Sequence, residues 1–134
     1  CKNKGQIGLA NWTPEGFISQ ILKTLGKYLP PPAGARSPAQ WGTMPRLTEM
    51  FGAGARVIKA EPRMFQFRYR SPEHFLDVFK TYYGPVLKAF AALEPAKQQE
   101  LHDDLHALIV RMNRSGDGTM IVPSEYLEIV IAKR

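Results

Sequence analysis

Residues 5–17 read GQIGLANWTPEGF, and this stretch contains a strand followed at once by the start of a helix. Ile7 and Leu9 alternate with small residues, which is the period of a strand with one face that a helix can approach closely. Thr13 then suits an N-cap, and Pro14 suits the first helical position, where its missing N–H costs nothing. The stretch therefore predicts a strand-then-helix unit of an α/β fold.

Working outward, apolar spacing predicts further helices and two more strands. A second helix begins at Ser37 or Thr43, and Gly84-Pro85 divides the following helical region in two. Every residue of the run Tyr126–Ile131 except Glu128 is apolar, so we expect a central strand covered on both faces. The other predicted elements are helices at Phe17–Leu29, Trp41–Phe51, Phe75–Leu93 and from Pro95 onward, and one strand region made of the extended segments Arg56–Ala60 and Met64–Tyr69. We expect a small three-stranded mixed sheet with about five helices.

Composition limits the class of protein. The 134 residues suit one domain, and the lone Cys1 excludes an internal disulfide and has no visible partner for nucleophilic chemistry. The apolar runs are too short for a membrane-spanning helix, so we expect a cytoplasmic protein. Because the chain opens on cysteine and enters a strand almost at once, we expect it to be part of a longer protein. The net charge of +6 is then weak evidence for a nucleic-acid partner.

Two motifs resemble metal sites, and each has a simpler interpretation. Residues 113–118 resemble the start of a calcium loop, but its twelfth position is Ser124 instead of glutamate, which favours a turn. His102 and His106 have the spacing of zinc ligands on a helix, but two candidate ligands are few, which favours solvated positions beside the apolar stripe. We expect no metal. The sequence also contains no recognisable catalytic set or phosphate-binding loop, so we predict no catalytic residue in this chain.

The segment Arg63–Arg70 alternates aromatic and cationic residues and has two interpretations. On an open sheet it could stack the bases of a nucleic acid. With a period of two, Phe65, Phe67 and Tyr69 can instead face the core while the cations face water, and this is the favoured interpretation.

The order of these motifs resembles class I S-adenosylmethionine-dependent methyltransferases. Residues 5–17 are similar to their fifth strand and the loop after it, although Lys2-Asn3-Lys4-Gly5 replaces the usual Pro-Gly-Gly turn. Later motifs are similar to a bacterial branch related to the type-11 and quinone-biosynthesis methyltransferases. They are Pro30-Pro31-Pro32, Ser37-Pro38, Trp41-Gly42, Phe65-x-Phe67-Arg68, Tyr83-Gly84-Pro85, Asp117-Gly118-Thr119 and Val122–Leu127.

The resemblance implies the C-terminal part of a Rossmann-like fold, with strands five, seven and six side by side and the seventh antiparallel in the centre. The family's cofactor-binding residues precede its fifth strand, so none is expected here. S-adenosylmethionine would bind the longer parent enzyme, and this chain alone would be inactive. The helices Phe17–Leu29, Trp41–Phe51 and Phe75–Leu93 would form the lid and substrate side.

A small-molecule methyl acceptor is the expected partner. The predicted substrate-side residues are Asn11, Trp12, Tyr28, Trp41, His74, Tyr82 and Tyr83, each of which also suits a cap, a core aromatic or a solvated position. Two other functions stay open: a small basic nucleic-acid-binding module that uses Arg63–Arg70, and a non-catalytic ligand- or partner-binding domain. We also expect the isolated chain to dimerise through its exposed first strand.

Overall fold

The computed structural model describes Lys2 and residues 4–134. Predictions about Cys1 and Asn3 lie outside the described residues. The elements in chain order are β1 (Gln6–Trp12), α1 (Phe17–Tyr28), α2 (Met44–Phe51), β2 (Ala55–Tyr69), α3 (Pro72–Tyr82), α4 (Gly84–Ala92), α5 (Pro95–Met112) and β3 (Met120–Lys133). Short 3₁₀ helices cover Pro38–Gly42 and Gly52–Gly54.

The three strands form one sheet in the order β1-β3-β2. β1 pairs with β3 in antiparallel register, from Gln6 opposite Ala132 to Trp12 opposite Tyr126. The central position predicted for the last strand is confirmed. The expectation of a mixed sheet is wrong, because β3 runs antiparallel to both neighbours and the two outer strands are not hydrogen-bonded to each other.

The chain divides into two compact units, which are described separately below. The first unit contains the described residues up to Ser19, together with Arg36–Phe65 and Ser124–Arg134. The second contains Gln20–Ala35 and Gln66–Pro123. Within the described residues, no helix combines the length and apolar character needed to cross a membrane.

In the first unit, alternate residues of β3 form the core. Leu127, Ile129 and Ile131 are buried together with Leu47 of α2. The partly buried residues Leu9, Met44, Phe51 and Ala55 pack against them. The alternating burial of β3 follows from its strand geometry, since successive side chains point to opposite faces of the sheet.

The start of α1 differs from its prediction. The main-chain N–H of Gly16 donates to the carbonyl of Thr13 at 3.1 Å, so residues 13–16 form a turn and the helix begins at Phe17. The cap comes from β3, where the buried Ser124 Oγ accepts from the N–H of Ile18 at 3.3 Å. Thr13 Oγ1 instead donates to the carbonyl of Glu125 at 3.3 Å. A hydroxyl distant in sequence therefore replaces the predicted local cap.

Local helix signals predict the other starts more closely. Ser71 Oγ accepts from the N–H of His74 at 3.1 Å and begins α3, as predicted. Ser37 caps only the 3₁₀ helix, and Thr43 precedes α2. The division of the helical region near Gly84 is confirmed, because α3 ends at Tyr82 and α4 begins at Gly84.

In the second unit, aromatic rings and the apolar stripe of α5 form the core. Phe75 and Phe79 stack with ring centroids 3.9 Å apart, and Phe67 meets Phe75 edge-on at 5.9 Å. Leu101 and Leu105 of α5 are buried, as the spacing of that helix predicts.

Candidate functional site

An aromatic cluster lies at the carboxyl end of β1, in the first unit. Trp12 is directly opposite Tyr126 on β3, and their ring centroids are 6.0 Å apart at an interplanar angle of 85°. Phe65 of β2 approaches Trp12 at 6.2 Å and 72°. Edge-to-face contacts of this kind stabilise aromatic pairs beyond their buried area. Phe65 is 48% exposed, so the cluster is open to solvent at this ring.

The 3₁₀ helix Pro38–Gly42 lies against the backbone at this end of β1. A Cβ added to Gly42 would lie 2.6 Å from the carbonyl carbon of Trp12 and 2.8 Å from Cα of Thr13, so only glycine fits there. The neighbouring Trp41 is 39% exposed. The backbone contact between Gly42 and the end of β1 therefore places the adjacent Trp41 near that end.

Asn11 precedes Trp12 on β1, so its side chain leaves the opposite face of the strand, the face that carries Leu9. The Nδ2 atom of Asn11 is buried and has no hydrogen-bond partner among the described residues. A buried donor without an acceptor is costly, which makes this amide the polar feature of β1 that most needs a partner.

Four charged side chains lie on β2 and β3 in the same unit. Lys59 Nζ contacts Glu128 at 2.6 Å and Glu61 at 3.4 Å, and Arg63 contacts the same two carboxylates at 3.5 and 3.0 Å. The hydrogen bond between Lys59 and Glu128 raises the pKa of the lysine and lowers the pKa of the glutamate. Two cations and two anions cancel, so this network adds no net positive charge to the sheet.

The second unit contains the other four predicted substrate-side residues. The hydroxyl of Tyr28 donates to Asp104 Oδ2 at 3.0 Å. Removal from water, followed by this hydrogen bond, raises the pKa of Tyr28 to about 12. The ring of Tyr83 lies 4.8 Å from that of Phe79, and burial raises the pKa of its hydroxyl. Tyr82 is 81% exposed, so its ring lies mostly in solvent.

His74 has local partners at the start of α3. Its Nδ1 accepts from the main-chain N–H of Arg70 at 3.4 Å, and its ring lies 5.5 Å from that of Tyr69. These contacts connect the end of β2 to the first turn of α3. The structure therefore places Asn11, Trp12 and Trp41 in one unit, and Tyr28, His74, Tyr82 and Tyr83 in the other. Their roles toward a substrate stay predictions.

The Arg63–Arg70 segment follows the predicted alternation only in its second half. Phe67 is buried and Tyr69 half-buried, whereas Arg68 and Arg70 are exposed. Phe65 breaks the pattern, because it is exposed and contacts Trp12. Period-two reasoning missed its place in the aromatic cluster, and the contribution of Tyr126 follows only from the strand register.

The sequence predicts solvated positions for the two histidines of α5, whereas the structure shows them half-buried and beside a partner that the sequence does not indicate. Glu73 of α3 lies 3.5 Å from His102 Nε2 and 3.3 Å from His106 Nε2. Helical spacing shows that the histidines share a face of α5, but nothing local identifies the facing carboxylate. Among the described residues, no group of three or more His, Cys, Asp or Glu side chains has an arrangement that could hold a metal ion.

The segment that resembles a calcium loop forms a hydrogen-bonded turn. Asn113 Oδ1 accepts from the N–H groups of Ser115 and Ile121, and Asp117 Oδ1 accepts from the hydroxyls of Ser115 and Thr119. These bonds, led by the one from Ser115, lower the pKa of Asp117 to about 2. The oxygens of the motif are used within the turn itself.

Comparison with known proteins gives relatives but no family. No protein-family model matches the chain. It is 31% identical over 129 residues to the uncharacterized protein Rv1403c of Mycobacterium tuberculosis strain H37Rv, which covers 95% of this chain and 46% of the relative. It is 29% identical over 136 residues to the uncharacterized protein Rv1405c of the same strain, covering 100% of this chain and 49% of the relative. The chain thus spans about half the length of the curated relatives it matches.

Proposed function

We propose that this chain is the C-terminal, substrate-side part of a class I S-adenosylmethionine-dependent methyltransferase that acts on a small-molecule acceptor. The observation that supports this most strongly is the strand order β1-β3-β2. It corresponds to the order five, seven, six that the resemblance implies, with the last strand antiparallel in the centre. Because consecutive strands usually lie side by side, a last strand inserted between two earlier ones is informative.

The length of the relatives is consistent with this proposal. The matched region accounts for 46% of Rv1403c and 49% of Rv1405c, which leaves a further region of similar length in each. The resemblance assigns the cofactor-binding residues to strands that precede β1. We therefore propose no residue of this chain as a ligand of S-adenosylmethionine, and the parent protein would supply that part of the site.

The residues at the end of β1 suit the acceptor side of such a reaction. Ligands of open α/β sheets bind at the carboxyl ends of the strands, where Trp12 lies with Tyr126 and Phe65 beside it. Their rings would exclude water and hold an acceptor in one orientation. S-adenosylmethionine supplies a methyl group with its own leaving group, so the proposal needs no acid–base pair from this chain.

The nucleic-acid alternative has less support. Phe67 packs against Phe75 and Phe79, and Tyr69 packs against Phe75, so these two rings serve the core of the second unit. Phosphate contacts require an excess of cations, whereas the Lys59 network is balanced by carboxylates. Salt-sensitive retention of nucleic acid by the purified protein would favour this alternative.

The test begins with cofactor binding by the full-length protein. Calorimetric titration should show micromolar affinity for S-adenosylmethionine in the full-length protein and no tight binding by the isolated 134 residues. Failure of the full-length protein to bind would contradict the proposal. Micromolar binding by the isolated chain would contradict the assignment of the cofactor site to the preceding strands.

Transfer of a labelled methyl group to small molecules of a cell extract then tests the acceptor side. Trp12→Ala should lower transfer at least tenfold while leaving the affinity for S-adenosylmethionine within about twofold, since the lost contact is to the acceptor. Val110→Ala is the control, because Val110 is 53% exposed, lies in the second unit and is not among the predicted substrate-side residues. Equal transfer by the two variants would remove Trp12 from the proposed acceptor site.

Self-association of the isolated chain is a separate proposal. β1 lies at one edge of the sheet, and exposed strand edges pair readily with other chains. We expect sedimentation of the isolated chain to show a dimer. A monomer at high concentration would contradict pairing through β1.

A further inference from the structure

A row of ionisable side chains connects α3 with α5 in the second unit. Lys80 Nζ of α3 lies 2.8 Å from Nδ1 of His102 on α5. The other ring nitrogen of His102, Nε2, lies 3.5 Å from Glu73 of α3. Glu73 also contacts His106 Nε2 at 3.3 Å, one helical turn further along α5. The order of the row is therefore Lys80, His102, Glu73, His106.

The two neighbours of His102, Lys80 and Glu73, determine which of its ring nitrogens carries the proton. A lysine ammonium has three donors and no acceptor, so Nδ1 of His102 must accept and cannot hold a proton. The single proton of the neutral ring is then on Nε2, where it points to the Glu73 carboxylate. The short Lys80 contact is thus compatible with only one tautomer of a neutral His102.

A second proton on His102 is incompatible with the same contact. Nδ1 would become a donor facing the Lys80 ammonium, with two positive charges less than 3 Å apart and no acceptor between them. The Lys80 side chain would then have to move away from His102 of α5. Its contact with the Phe90 ring of α4, at 4.7 Å, is compatible with this movement. His106 differs, because its nearest charged partner is a carboxylate, which a second proton strengthens.

The other charged or titratable side chains around the row have partners elsewhere or lie on outer positions. On α5, Asp103 accepts from Gln99, and Asp104 accepts from Tyr28 of α1. On α3, His74 accepts from the Arg70 main chain, and Asp77 is exposed. Glu73 is therefore the carboxylate that contacts the two histidines, and Lys80 is the cation that opposes protonation of His102.

We propose that Lys80, His102 and Glu73 form a proton-responsive latch between α3 and α5. The bond from Lys80 to neutral His102 connects the two helices. A second proton on His102 breaks this bond, and the Lys80 side chain separates from α5. The latch is independent of the methyltransferase proposal, since it uses only contacts within the second unit.

The first test reads the tautomer directly. Long-range proton–nitrogen NMR correlation of the full-length protein at pH 7.5 should show His102 with a bare Nδ1 and a protonated Nε2. A proton on Nδ1 at this pH, in either the neutral or the cationic ring, would overturn the proposal.

The second test follows release of the latch by amide hydrogen exchange of the full-length protein. Between pH 7.5 and 5.5, the protection factors of residues 79–87 should fall about threefold, the change expected for one partly exposed charged hydrogen bond. His102→Gln keeps an acceptor for Lys80 and a donor for Glu73 without titrating, so its protection factors should stay constant. His106→Gln is the matched control and should retain the pH dependence of the wild type.

Each outcome of this comparison is decisive. Constant protection in His102→Gln with a fall in His106→Gln supports the latch. An equal fall in wild type and His102→Gln would show that another group senses the proton. Loss of the pH dependence only in His106→Gln would transfer the sensing role to His106 and would also overturn the proposal.

Discussion

Replacement of Gly42 by alanine tests the packing that forms the end of β1. The added Cβ would meet the carbonyl group of Trp12, lying 2.6 Å from its carbon, and would lie 2.8 Å from Cα of Thr13. Ordinary contacts of a Cβ begin near 3.4 Å, so the contact with the carbonyl carbon alone requires the two backbones to separate by about 0.8 Å, and the nearer carbonyl oxygen requires more. Both contacts are to main chain, which has no rotamer that can relieve them.

The loss of stability in Gly42→Ala depends on which atoms must move, and here they are main-chain atoms. Overpacking a well-packed region costs about 1–3 kcal/mol, and a clash with backbone belongs at the upper end of that range. We expect Gly42→Ala to lower the free energy of unfolding by about 3 kcal/mol, which is about a 100-fold change in the folding equilibrium. Gly26→Ala is the matched control, since among the described residues nothing outside its own stretch of α1 lies within 4 Å of its added Cβ. Within α1, that alanine should stabilise by about 0.5–1 kcal/mol.

Urea unfolding followed by tryptophan fluorescence measures both variants. Trp12 and Trp41 are the two tryptophans of the chain, and both lie beside Gly42, so the signal reports on the region that is perturbed. A Gly42→Ala midpoint equal to that of the wild type would refute the close packing of the 3₁₀ helix on β1. A midpoint for Gly26→Ala lowered as far as that of Gly42→Ala would show that the effect is not specific to this contact.

Three further changes test the interior and the pH response. Ser19→Ala should stabilise the protein by about 1 kcal/mol in urea unfolding. The reason is that the Ser19 hydroxyl is buried and has no hydrogen-bond partner in the described part of the chain. A loss of stability would contradict this prediction. Phe75→Ala should cost about 3–5 kcal/mol in the same assay, since the ring is 1% exposed and stacks on Phe79, and a cost below 1 kcal/mol would contradict that packing. Tyr28 has a folded-state pKa of about 12, raised above its ordinary value of 10.0, so its stabilising contribution is complete below pH 10 and is lost as the pH rises through 12. Burial also raises the pKa of Tyr83, so ultraviolet titration should show one fewer late-ionising tyrosine in Tyr28→Phe than in the wild type. An unchanged titration would contradict the contact with Asp104.

Several parts of the fold could be predicted because their causes are local. The Ser71 cap, the break before Gly84 and the apolar stripe of α5 each depend on residues within a few positions of one another. The largely apolar run at Tyr126–Ile131 likewise predicts a central strand, because both faces of such a strand are covered. The start of α1 could not be predicted this way, since its cap is Ser124, a residue 106 positions away from Ile18.

In the candidate site, too, features with local causes could be predicted and features with long-range causes could not. By itself, the sequence determined that Trp12 ends the first strand, that His102 and His106 share a helix face, and that Met64–Tyr69 is extended, because each follows from the spacing of neighbouring residues. Only the tertiary structure decided which side chains meet them. Tyr126 and Phe65 contact Trp12, and Glu73 contacts the two histidines. Strand register and helix packing bring these partners together over long stretches of chain, and local periodicity carries no information about either.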